Sequence, residues 1–127
     1  MEPNEALAEL MHLSSQVEDV AIVGGSGFVL AASGTPERGE QLARVAAELL
    51  AAAGDVRPSV AVSRVEVSLG SSSVFVVAEG GRLAVATTVP EPTAGLVVYD
   101  LRTALRRLDE EPAPKASARK KKGAADA

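Results

Sequence analysis

The chain has 127 residues, no cysteine, one histidine and a formal charge of −4, which leaves room for one domain and a short tail and excludes a disulfide framework, a thiolate nucleophile and a zinc ribbon. The charge is unevenly held: residues 1–111 carry 8 arginines against 16 carboxylates, a net of −8, whereas residues 112–127 carry Lys115, Arg119, Lys120, Lys121 and Lys122 against Asp126, a net of +4. An acidic body argues against nucleic acid as the main partner, and no apolar run is long enough for membrane insertion.

The opening stretch, MEPNEALAEL, is acidic where a signal peptide is basic, so a cytoplasmic chain is expected. Leu7, Leu10, Met11 and Val17 recur at helical spacing over residues 5–17, with Leu13 and Ser14 on the flanks and Asn4 as a cap after Pro3. A one-faced helix of this length gains most of its stability from docking. His12 shares its face with Glu9 and Gln16 but with no second nitrogen or sulfur ligand, so it reads as a helix surface residue and no metal site is expected.

Two β-prone runs follow, 20–23 and 28–32, separated by Gly24, Gly25, Ser26 and Gly27. They form a hairpin whose glycines supply positive φ angles. A phosphate loop is the competing reading. It lacks a third glycine at dinucleotide spacing and a Gly-Lys-Ser/Thr, and the turn leads into a strand where no helix N-terminus awaits an anion.

The stretch 35–54, TPERGEQLARVAAELLAAAG, predicts a long helix capped by Thr35, with Pro36 at its first position and Gly54 as a left-handed stop. Leu42, Val45, Ala46, Leu49, Leu50 and Ala53 make its apolar stripe. Gly39, Ala43, Ala47 and Ala51 recur every fourth residue as a ridge of small side chains, which admits a close second backbone or reflects no more than the helix propensity of alanine. Glu37, Glu40, Gln41, Arg44 and Glu48 form a polar flank of mixed sign, suited to a wet interface rim as well as to solvent.

Three more strands are expected. Residues 64–69 alternate Arg64, Glu66 and Ser68 with Val65, Val67 and Leu69, the mark of a half-buried strand at a sheet edge. Residues 74–78 are continuously apolar and need cover on both faces, as do 83–89, where Ala84 and Ala86 leave room for a helix; Gly80-Gly81 is the turn between them. Pro90 and Pro92 end the sheet, Thr93 caps a last helix with Val97, Leu101, Ala104, Leu105 and Leu108 inward, and Arg102, Arg106 and Arg107 complement the dipole at its end. From Glu111 no large apolar residue remains. The expectation is a domain over 1–110 and a disordered basic tail over 111–127.

The order is therefore helix-strand-strand-helix-strand-strand-strand-helix, an α+β chain whose five-stranded antiparallel sheet has the long helix on one face and the two terminal helices together on the other. No catalytic constellation is present: there is no paired-histidine motif or glycine-flanked nucleophilic serine, and Ser14, Ser15 and Ser71 to Ser73 lie in helix and turn contexts. Neither an enzyme nor a cofactor is expected.

The hairpin VEDVAIVGGSGFVLAASG, the long helix, and the stretch RLAVATTVPEPTAGLVVYDLRTALRRL together resemble the Roadblock family of dynein light chain and GTPase-partner domains over residues 5–110. Leu83-Ala84-Val85 stands for the family's central strand, Gly95-Leu96-Val97 for the opening of its last helix, and Leu101-Arg102 for the continuation. Ser26-Gly27 after two extra glycines departs from the family's frequent Asp-Gly turn. The resemblance implies a profilin-like sheet and a homodimer built through the long helix and the edge strand after it, which makes Gly39, Ala43, Ala47, Ala51, Arg64, Glu66 and Ser68 interface candidates. It implies a small Ras-like GTPase as partner, with Glu37, Glu40, Gln41, Arg44 and Glu48 as the docking surface. Arg38 and Arg44 are weighed as arginine fingers against ordinary pairing with the neighbouring glutamates. A structural interaction module of a signalling or motility assembly, and a small-molecule sensor, are the alternatives.

Overall fold

The structure, a computed structural model, describes residues 1–110, and the expected tail lies outside the described residues. The elements are α1 (Pro3–Leu13), β1 (Val17–Val23), β2 (Val29–Ala32), α2 (Pro36–Val56), β3 (Arg64–Ser68), β4 (Ser73–Glu79), β5 (Arg82–Thr88) and α3 (Ala94–Arg107). The strands form one sheet in the order β2-β1-β5-β4-β3, every neighbouring pair antiparallel. Element order and layering are those read from the sequence.

Alternating side chains feed two cores. Val17, Val20, Ile22, Phe75, Val77, Ala84 and Ala86 pack beneath Ala6, Leu7 and Leu10 of α1 and Val97, Leu101 and Leu105 of α3. Ala21, Val23, Val74, Val76 and Val85 point the other way, under Leu42, Ala43 and Ala46 of α2. Each large side chain removed from water in this way contributes roughly 1.5–3 kcal/mol.

Several boundaries differ from expectation, each for a local reason. The first helix starts earlier and stops sooner. Pro3 takes the first helical position and Glu2, not Asn4, caps it, its side chain trading bonds reciprocally with Glu5. Val17, expected in the helix, opens β1 and pairs with Thr88, where a β-branched side chain packs well. In the hairpin only Gly27 has positive φ, +92°, so Gly24 and Gly25 do not need glycine for that reason, and Phe28 lies outside β2. Gly80 and Gly81, by contrast, both have positive φ, as a two-residue β4–β5 turn requires.

α2 begins as expected, with the Thr35 hydroxyl accepting from the Arg38 N–H. It does not stop at Gly54. The helix continues to Val56 and ends at Arg57, whose backbone (φ −143°, ψ 84°) has left the α region. Pro58 explains the stop, because the residue before a proline is driven toward extended conformations. The arginines of α3 also do more than face the dipole: Arg102 and Arg106 reach Glu79 on β4, and Arg107 reaches Glu9 on α1 and Glu110. These contacts tie the helix to both of its neighbours.

Candidate functional site

Among the described residues β3 has a hydrogen-bonded partner, β4, on one side only, and its other edge is the border of the sheet. Val65 and Val67 turn toward α2 and are half-buried against its core. Arg64, Glu66 and Ser68 lie on the opposite face and are exposed. Beside this edge runs an open groove lined by Arg38, Gln41, Leu42, Val45 and Leu49 of α2, by Val67, Val74 and Thr87 of the sheet, and by Leu69 just past β3. Most of that lining is apolar, and Leu69 at its end is 57% exposed. Val56, the last residue of α2, and Val60, beyond the helix end, are more exposed still.

The alanine ridge is divided by the fold. Gly39 and Ala43 are buried inside the subunit. At Gly39 an added Cβ would lie 2.7 Å from the Ala32 Cβ, so glycine is there to let α2 approach β2 of the same chain. Ala47 and Ala51 are exposed. A turn of 100° per residue puts them, with Glu40 and Arg44, on the side of α2 away from the groove. Val45 and Leu49, assigned to the core stripe in the sequence, form the flank of α2 nearest β3. Their partial cover was legible only once the strand order was known.

Glu37, Glu40, Gln41, Arg44 and Glu48 are all exposed and form an outer row along α2, with Gln41 at its border lining the groove as well. Arg38 differs from Arg44. Its guanidinium donates to Asp19 of β1 from Nε at 3.4 Å and from a terminal nitrogen at 3.2 Å, and donates to the Gln41 side-chain carbonyl at 2.8 Å. Thr87 adds its hydroxyl to the same carboxylate at 3.4 Å. Arg38 is thus a strut between α2 and the sheet at the groove's mouth, whereas Arg44 enters no ion pair among the described residues.

Elsewhere the chemistry is spare. Among the described residues no three His, Asp or Glu side chains converge as a metal-binding group, and no helix is long and apolar enough to cross a membrane. His12 is exposed. Ala84 and Ala86 are completely buried, the space above them filled by helix side chains. Asp100, on the side of α3 that faces α1, has its pKa raised by burial, with a hydrogen bond to Ser14 acting in the opposite sense.

No protein-family model and no curated protein matches the chain in sequence. Solved structures do match in fold. A Roadblock/LC7 domain from Streptomyces avermitilis superposes with a TM-score of 0.72 at 19% identity, covering 83% of this chain and 92% of that one. MglB of Myxococcus xanthus gives 0.68 at 16%, covering 88% and 93%, and the gliding protein MglB from Thermus thermophilus gives 0.64 at 19%, covering 82% and 86%. With the three helices of the described residues on the two faces of a five-stranded antiparallel sheet, the chain has the fold of Roadblock/LC7 domains.

Proposed function

We propose that this chain is a non-enzymatic, cytoplasmic homodimeric regulator or scaffold that docks a small Ras-like GTPase. The observation that carries the reading is the open side of the molecule, where an unpaired strand edge runs beside an apolar groove. An uncovered edge is a template for another strand, and an uncovered groove costs hydration free energy; a second copy satisfies both at once. Pairing through β3 joins two sheets into one and brings the two α2 flanks carrying Val45 and Leu49 together. The outer row Glu37, Glu40, Gln41, Arg44 and Glu48 is then repeated on the same side of the dimer as a charged platform.

The GTPase follows from the sequence resemblance, and the MglB likeness supports a bacterial regulator of that kind. Arg44, exposed and free of ion pairs among the described residues, is better placed than Arg38 to meet a partner. The test is to mix the chain with the Ras-like GTPase encoded nearest to it and to measure complex formation and GTP turnover. Complex formation, with or without faster hydrolysis, is the expected result. Neither complex nor altered turnover would favour the alternative, an interaction module of a larger assembly with no GTPase.

A further inference from the structure

Resting on the homodimer reading above, we propose that two copies pair antiparallel along β3 in one register, the one that sets Val65 opposite the partner's Val65. Leu69 donates its N–H to the Ser72 carbonyl at 2.8 Å, and the Ser63 carbonyl accepts from Ala78 at 2.9 Å, so these odd-numbered residues spend their hydrogen bonds on β4. The antiparallel ladder alternates every residue, and β3 and β4 pair without irregularity from Arg64↔Val77 to Ser68↔Ser73. Val65 and Val67 therefore also bond inward. Arg64, Glu66 and Ser68 turn their N–H and C=O groups to the open edge.

That alternation limits the choices. A two-fold axis passing between residues would oppose an outward-bonding residue to one already committed to β4, so the axis must pass through a residue. Centred on Val65, it places Arg64 opposite the partner's Glu66 and Glu66 opposite the partner's Arg64, two ion pairs by symmetry. Centred on Glu66, it sets two like carboxylates against each other. Centred on Val67, it carries Arg64 to the partner's Gly70, beyond the strand.

The charges select the first arrangement. Arg64 and Glu66 share one sheet face, both exposed, and neither enters an ion pair among the described residues. Opposite charges directly across an antiparallel pair stabilise it and like charges destabilise it. The valines lie on the α2 face, where Val65 and the partner's Val65 form a close non-hydrogen-bonded pair that continues the apolar groove across the axis.

Because the chain has no cysteine, single substitutions read the register directly. Facing residues of a non-hydrogen-bonded pair have Cα atoms about 4.5 Å apart, within disulfide range. Val65→Cys is expected to cross-link to itself under mild oxidation and Val67→Cys is not. Self-linking of Val67→Cys would put the axis on Val67, and linking only in a mixture of the two variants would put it on Glu66; either overturns the proposed register and leaves the dimer intact. Light scattering on the unsubstituted chain separates the remaining cases. A dimer in which no variant links would overturn strand pairing, and a monomer would overturn the homodimer reading together with the register. As an independent readout, Glu66→Arg should weaken dimerisation about tenfold and Arg64→Glu with Glu66→Arg should restore it. An unchanged affinity in Glu66→Arg would overturn the charge argument.

Discussion

Gly39 and Asp100 show how single residues carry the fold's constraints. In an ordinary helix, replacing glycine with alanine gains about 1 kcal/mol. At Gly39 the new methyl would meet the Ala32 Cβ at 2.7 Å, a contact neither backbone can relieve without shifting. Gly39→Ala is therefore expected to destabilise by about 1 kcal/mol or more, read as a fall in denaturant midpoint, since overpacking costs about 1–3 kcal/mol. Asp100 makes a prediction in pH. Burial raises its folded pKa above the ordinary carboxylate value of 3.8, so the folded chain holds that proton more tightly than the unfolded chain. The associated stability is full below the unfolded pKa and lost as pH rises through the folded value. Asp100→Asn should then melt higher than the unsubstituted chain at neutral pH, with the difference closing on acidification; equal melting temperatures at neutral pH would contradict it.

At the scale of elements, α2 separates what the residues announced from what they hid. Thr35 and Pro36 fix its start by local chemistry, and the start was legible. Its end was not, because glycine is a common stop while Pro58, two residues beyond the true end at Val56, acts through the residue before it. Gly54 is an interior helical position with ordinary φ, and an added Cβ there would meet only the Val62 side chain at 3.9 Å. Gly54→Ala should accordingly stabilise the chain by roughly 0.5–1 kcal/mol, the reverse of Gly39→Ala. The same limit applies to the candidate surface. Alternation in β3 announced an edge strand, since Arg64, Glu66 and Ser68 cannot sit in a core. Periodicity in α2 could not tell a fully covered leucine from a half-covered one: Leu42 and Leu49 read alike until the sheet order set β3 beside one flank and left Leu49 at the rim. The small-residue ridge is divided for the same reason, because every-fourth spacing drifts around the helix and passes from buried Gly39 to exposed Ala51, leaving Ala47 and Ala51 open as interface candidates.

At the scale of the molecule, both sheet borders are strands, but they are unlike. β2 is short and irregularly paired, with a bulge against β1, whereas β3 is regular and runs beside the open groove. In the proposed function β3 and the Val45 flank of α2 have one task, joining two copies, and the outer row of α2 has another, meeting a GTPase. The two are separable by mutation. Val45→Glu puts a charge into the groove outside the packed core and should abolish the dimer with little loss of melting temperature, whereas Ala47→Glu, on the side away from the groove, tests the alanine ridge as the competing interface. Arg44→Ala should leave the dimer intact and weaken only GTPase binding, measured by calorimetry. The central claim is tested most directly by sedimentation equilibrium on the unsubstituted chain and on Val45→Glu. Twice the 13.0 kDa chain mass for the first and a single chain mass for the second, both folded by circular dichroism, is the predicted result. A single chain mass for the unsubstituted chain at tens of micromolar, or a dimer that survives Val45→Glu, would contradict it.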